Sequence, residues 1–135
     1  MIEFLVSQGV NINAQTTDGI LIIIIDRTPL YEVTSAMEDD QKKDWRLQAV
    51  SLLLKYNADP SIPDLSGRTP LHWACYYGCD KIAHLLIPKS NVRAQDDEGV
   101  TPLHLSSYAG NLDISQCLVQ NGADISALDF HLRTP

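Results

Sequence analysis

The chain has 135 residues, of which 44% are hydrophobic, and a formal net charge of −7. That is the size of one domain with enough apolar residues for a continuous core. The acidity excludes the basic footprint of a nucleic-acid surface and leans toward neutral or basic protein partners. Three cysteines make an odd count with no disulfide spacing, and no signal peptide, sequon or membrane-length apolar span is visible, so a cytoplasmic or nuclear setting is expected.

In chain order, Met1 to Val6 read as the later part of a helix, with Gly9 as its cap and Val10–Ala14 as a connection. Ile20–Asp26 opens with six consecutive aliphatic residues, far short of the roughly 20 needed to span a membrane. This run reads as a segment folded back on the protein or as translated non-coding sequence; the competing reading is a hydrophobic finger that engages a partner. Bare aliphatic strands self-associate, so a monomer is expected unless Ile20–Ile25 drives association. Thr28-Pro29-Leu30-Tyr31 follows, then Met37 and the mixed-charge stretch Glu38 to Trp45. Mixed charge reads as a solvated helix extension or loop, the alternative being a regulatory or docking loop. Trp45 is positioned to fasten it to a helix whose apolar members include Leu47, Val50, Leu53 and Leu54. Asn57-Ala58-Asp59 then places an asparagine, a residue tolerant of left-handed backbone, at the helix end.

Two similar units come next. Thr69 and Thr101 suit the N-cap, Pro70 and Pro102 the first helical position. Short helices are predicted over Leu71–Tyr77 and Leu103–Ala109, each stopped by a glycine, Gly78 and Gly110. In the helices that follow, Ile82, Leu85, Leu86 and Ile114, Cys117, Leu118 fall at i, i+3, i+4 and make one apolar stripe. Pro88 ends the first of these near Ile87, leaving it shortened and its loop altered, with Ser90 in the cap position. Gly122-Ala123-Asp124 closes the second.

Thr69-Pro70-Leu71-His72 and Thr101-Pro102-Leu103-His104 stand 32 residues apart, and Thr134-Pro135 repeats the phrase 33 residues later. Thr28-Pro29-Leu30-Tyr31 is a degraded copy. A period near 33 carrying Thr-Pro-Leu-His, with Gly-Ala-Asp between units, resembles the ankyrin repeat. The resemblance implies an all-α solenoid of stacked helix-turn-helix units with β-hairpin tips. It divides the chain into a partial repeat (1–15), an enlarged repeat (16–63, with insertions near 20–26 and 38–45), two whole repeats (64–95 and 96–128) and the start of another (129–135). Ile2, Phe4 and Leu5 do not make the polar face of a terminal cap, which reads as an excerpt from a longer array.

The resemblance further implies a non-enzymatic module that binds a protein partner through its concave face. The alternative is the regulatory or targeting part of a larger enzyme or channel. Carried over by position, the contact residues are Leu65, Ser66, Arg68, Asp97, Glu98 and Val100 from the hairpin tips. The first helices add Trp73, Tyr76, Tyr77, Leu105, Tyr108 and Ala109. Tyrosine, tryptophan and arginine are enriched at binding hot spots, so Tyr76, Tyr77 and Tyr108 beside Arg68 form the candidate patch, unless part of the set packs between repeats.

No catalytic residue, cofactor or metal site is expected. His72, Cys75 and Cys79 have a spacing that soft metals accept. However, His72 belongs to the repeated phrase, Cys75 takes a small-residue core position, and Cys79 lies beyond the glycine. His72 and His104 recur at one structural position, which marks them as structural, and the resemblance implies that they tie adjacent repeats. Asp96-Asp97-Glu98 coincides with a solvent-facing tip. Leu5 through Asn13 also resembles the motif of the asparagine hydroxylase that modifies ankyrin repeats, with Asn11 where an acidic residue is usual and an ordinary turn asparagine as the alternative.

Overall fold

A computed structural model describes residues 43–135, which hold five α-helices, one 3-10 turn and no strand. The helices are α1 (Lys43–Lys55), α2 (Pro70–Tyr76), α3 (Asp80–Leu86), α4 (Pro102–Tyr108) and α5 (Leu112–Gln120). Helix α2 packs beside α4, while α3 lies between α1 and α5, giving two layers of short helices.

Local chemistry accounts for the starts of α2 and α4 and the ends of α1 to α4. Thr69 and Thr101 keep extended backbone (ψ 164° in both) and a proline opens each helix behind them. Gly78 (φ 63°) and Gly110 (φ 73°) then take the left-handed conformation that ends α2 and α4. Asn57 does the same after α1, with φ 63°. The helix before Pro88 breaks at Leu86 and tightens into a 3-10 turn, Ile87–Lys89, and Ser90 is extended rather than left-handed. Helix α3 accordingly has 7 residues where α5 has 9.

One core runs through the stack. Val50 and Leu53 of α1 join Leu71, Ala74, Ile82 and Leu86, then Leu103, Ile114 and Leu118. Leu71, Leu86, Ile114 and Leu118 are fully buried. Burying such a side chain is worth about 1.5–3 kcal/mol, and no pair of helices buries its stripe alone, so stability comes from stacking. Ala58 and Ala123 occupy the small-residue positions after the second-layer helices.

Residues 1–15 with Asn13, the Ile20–Asp26 run, Thr28-Pro29-Leu30-Tyr31, Met37 and the insertion through Gln41–Lys42 lie outside the described residues. The last residues of that insertion belong to α1 itself. Trp45 sits within the helix that it was expected to fasten from a loop, and is 48% exposed.

Candidate functional site

Three tips stand at one edge of the stack, and each is built on an aspartate. The N–H groups of Asp64, Asp96 and Asp129 donate to the carbonyls four residues on, in Arg68, Val100 and Arg133, at 2.9, 3.0 and 3.1 Å. Each Oδ1 accepts two backbone N–H groups at 2.9 Å: from Ser66 and Arg68, from Glu98 and Val100, and from His131 and Arg133. The fourth residue of each turn is left-handed: Gly67 (φ 74°), Gly99 (φ 76°) and Leu132 (φ 60°). Neighbouring tips join through single bonds, Asp97 N–H to the Ser66 carbonyl at 3.0 Å and Phe130 N–H to the Glu98 carbonyl at 2.9 Å. The tips are thus linked turns with too few ladder bonds to count as strands.

The repeated histidines fasten these tips to the helices. His72 Nδ1 accepts the Thr69 N–H at 3.1 Å, which leaves the proton on Nε2, and Nε2–H donates to the Val100 carbonyl of the next unit at 3.1 Å. His104 repeats this with the Thr101 N–H at 3.2 Å and the Arg133 carbonyl at 2.9 Å. Burial pushes the pKa of His72 below its ordinary value, opposed by the Val100 bond and the Asp96 charge, and keeps the ring neutral.

The two arginines of this face are each held by a carboxylate. Arg68 Nε meets Asp96 Oδ2 at 2.9 Å across units, and its guanidinium lies 5.2 Å over the Trp73 ring. Trp73 is half-buried, with Nε1 donating to Asp64 Oδ2 at 3.1 Å. Arg133 holds Asp129 at 2.7 Å. Desolvation raises the Asp129 pKa, yet hydrogen bonds from Arg133 and His131 and the guanidinium charge outweigh it and hold the carboxyl below its usual range.

Between tips and first-layer helices runs an open groove of about 830 Å³. Its wall is a row of aromatic rings. Trp73 stacks on Tyr77 (5.7 Å, 22°), Tyr77 meets Tyr76 edge-on (5.0 Å, 74°), and Tyr76 lies parallel to Tyr108 of the next unit (6.5 Å, 6°). Tyr108 is 82% exposed and Tyr76 is 37% exposed. Of the residues singled out in the sequence, the groove gathers Arg68, Trp73, Tyr76, Tyr77, Glu98, Val100, Leu105 and Tyr108. Val100 and Leu105 are buried and form its floor. Leu65, Ser66, Asp97 and Ala109 are exposed outside its lining. Asp129 and Arg133 line it as well and were missed by sequence reasoning, although Asp64, Asp96 and Asp129 follow the same 32- and 33-residue spacing.

The residues with metal or catalytic precedent are committed elsewhere. Both His72 ring nitrogens are bonded, and the buried Cys75 thiol has its pKa pushed up by desolvation. Cys79 is the N-cap of α3. No group of three metal-ligating side chains occurs among the described residues.

Comparison with known proteins agrees with this architecture. A family model described as ankyrin repeats (3 copies) matches residues 1–96 and 41–129. NF-kappa-B inhibitor alpha of Sus scrofa is 40% identical over 82 residues, 56% of this chain and 26% of that protein. The Homo sapiens counterpart is 39% identical over 82 residues, with the same shares covered. Transient receptor potential cation channel subfamily A member 1 of Drosophila melanogaster is 36% identical over 95 residues, 66% of this chain and 8% of the channel protein. The chain thus spans about a quarter of the inhibitors it matches.

Proposed function

The chain belongs to the ankyrin repeat family, whose arrays bind proteins, and we propose that it is a non-enzymatic interaction module that holds a protein partner in the groove between its tips and first-layer helices. On this reading residues 64–95 and 96–128 are whole repeats, residues 16–63 an enlarged one, and residues 1–15 and 129–135 parts of two others. The observation that carries the proposal is the exposed aromatic row: Tyr76 and Tyr108, from adjacent units, present parallel rings to an open groove. An 82% exposed tyrosine ring adds little to the fold and is suited to a contact surface. Among the described residues no helix is long and apolar enough to cross a membrane. We place the module in the cytoplasm or nucleus, with no nucleic-acid partner.

The second reading is a regulatory or targeting domain of a larger enzyme or channel, favoured by the similarity to a channel subunit. Both readings use the same groove. The test is partner capture by Tyr76→Ala with Tyr108→Ala, with a thermal melt on each variant. Hot-spot truncations commonly cost more than 1 kcal/mol each, so the pair lowers affinity on the order of tenfold or more. Lys81→Ala and Gln116→Ala, exposed on the second-layer helices, leave binding nearly unchanged. Equal capture by the double variant and the parent removes the groove as the contact surface.

A further inference from the structure

The charges around the groove are not balanced by their number alone; what matters is which are already paired. Arg68 is held by Asp96 and Arg133 by Asp129. No lysine lines the groove. Glu98, which lines it, and Asp97, at the adjoining tip, are exposed, and neither meets a cationic side chain among the described residues. Asp64, outside the groove lining, is spent on the Trp73 indole and backbone N–H groups. One lining carboxylate, Glu98, is therefore left without a cation in a groove that also exposes the Tyr108 ring.

That combination suits one kind of side chain. A lysine or arginine head is drawn to the face of an aromatic ring and to a carboxylate at once. The second observation is length. The aromatic row and the linked tips both cross from one unit to the next, so the complementary ligand is an extended strand of several residues.

We infer that the groove takes an extended, lysine- or arginine-bearing segment of its protein partner, with cationic side chains set against the Tyr108 ring and the Glu98 carboxylate that line it. This rests on the groove being the contact surface, and it adds the sign and shape of the ligand. Arg68 and Arg133 are kept from repelling such a segment by their own carboxylates, which explains why two arginines stand in a groove that attracts cations.

The test uses fluorescein-labelled decapeptides and anisotropy with the full chain: alternating lysine and glycine, alternating glutamate and glycine, and alternating tyrosine and glycine. The lysine peptide should bind best and lose affinity with rising salt. Tyr108→Ala and Glu98→Gln should each weaken it about two- to fivefold, the range of one exposed cation–π or ion-pair contact. Asp113→Asn and Asp124→Asn, exposed acids away from the groove lining, should leave it unchanged. Equal losses from those controls would mean diffuse attraction to an acidic protein and would overturn the inference, as would no lysine-peptide binding. Preferred binding of the glutamate or tyrosine peptide, lost in Tyr108→Ala, would overturn the cationic ligand yet keep the groove as the contact surface. Native-partner capture unaffected by the double tyrosine variant would instead remove the groove itself.

Discussion

Gly78 and Gly110 end equivalent helices with nearly the same backbone (φ 63° and 73°), yet the same substitution should cost them differently. An alanine at either position is forced into left-handed backbone, at about 1 kcal/mol. At Gly110 that is the whole cost, because no described atom lies within 4 Å of the added carbon. At Gly78 the new carbon would sit 2.8 Å from Asn111 Oδ1 and 2.9 Å from its Nδ2. The Asn111 side chain must then move and give up its 3.0 Å bond to the Cys75 carbonyl, one of the ties between units. A lost hydrogen bond of this kind adds about 0.5–1.5 kcal/mol. Gly78→Ala should therefore destabilise by about 1.5–2.5 kcal/mol and Gly110→Ala by about 1 kcal/mol. Urea denaturation of both variants measures the difference as a shift in midpoint at constant slope. In an Asn111→Ala background the excess at position 78 should vanish, since the clash and the bond are both gone. Equal costs in the parent background would refute the claim that Asn111 packs over Gly78 and couples the units.

Other consequences follow from the same geometry. Leu132 holds a left-handed backbone (φ 60°) where the two preceding tips have glycine, so Leu132→Gly should stabilise by about 1 kcal/mol, read as a higher melting temperature; an unchanged or lower one would show that the strain is absent. Asp96→Ala removes the acceptor of the Glu98 and Val100 N–H groups and the partner of Arg68, and should cost about 2–4 kcal/mol in a urea titration; a cost under about 1 kcal/mol would deny the tip its anchor. His72 has a lowered folded-state pKa, so its contribution is complete above the unfolded value near 6.5 and is lost as pH falls below that toward the folded value. Melting temperature should fall as pH drops below about 6.5, and His72→Gln should flatten that limb; the same slope in both proteins would locate the proton elsewhere.

Much of this fold is legible in the chain because its signals are local. Thr69-Pro70 and Thr101-Pro102 start helices through their own backbone preferences, and Gly78, Gly110 and Asn57 end them by tolerating positive φ. The stripes of Ile82 and Leu86, and of Ile114 and Leu118, name the buried face. The tips are less legible. Asp96 looks like part of a solvated acidic cluster, whereas it is buried with its carboxylate closing a turn and holding Arg68, which is 28 residues away in sequence. That pairing depends on the stacking of units, which no short pattern encodes. Val100 and Leu105 share the reason: position in the repeat puts them on the concave side, and only packing shows them as floor. The parallel rings of Tyr76 and Tyr108 likewise depend on the distance between α2 and α4.

The central claim is that a partner lies in the groove and not on the second-layer helices. A photo-crosslinking amino acid placed at position 108, and in a separate protein at position 116, tests it most directly. Both sites are exposed, one on α4 beside the groove and the other on α5 outside its lining. Irradiation with the partner present should give a covalent adduct from position 108 and none above background from position 116. An adduct from position 116 alone would contradict the account and move the interface to the opposite face.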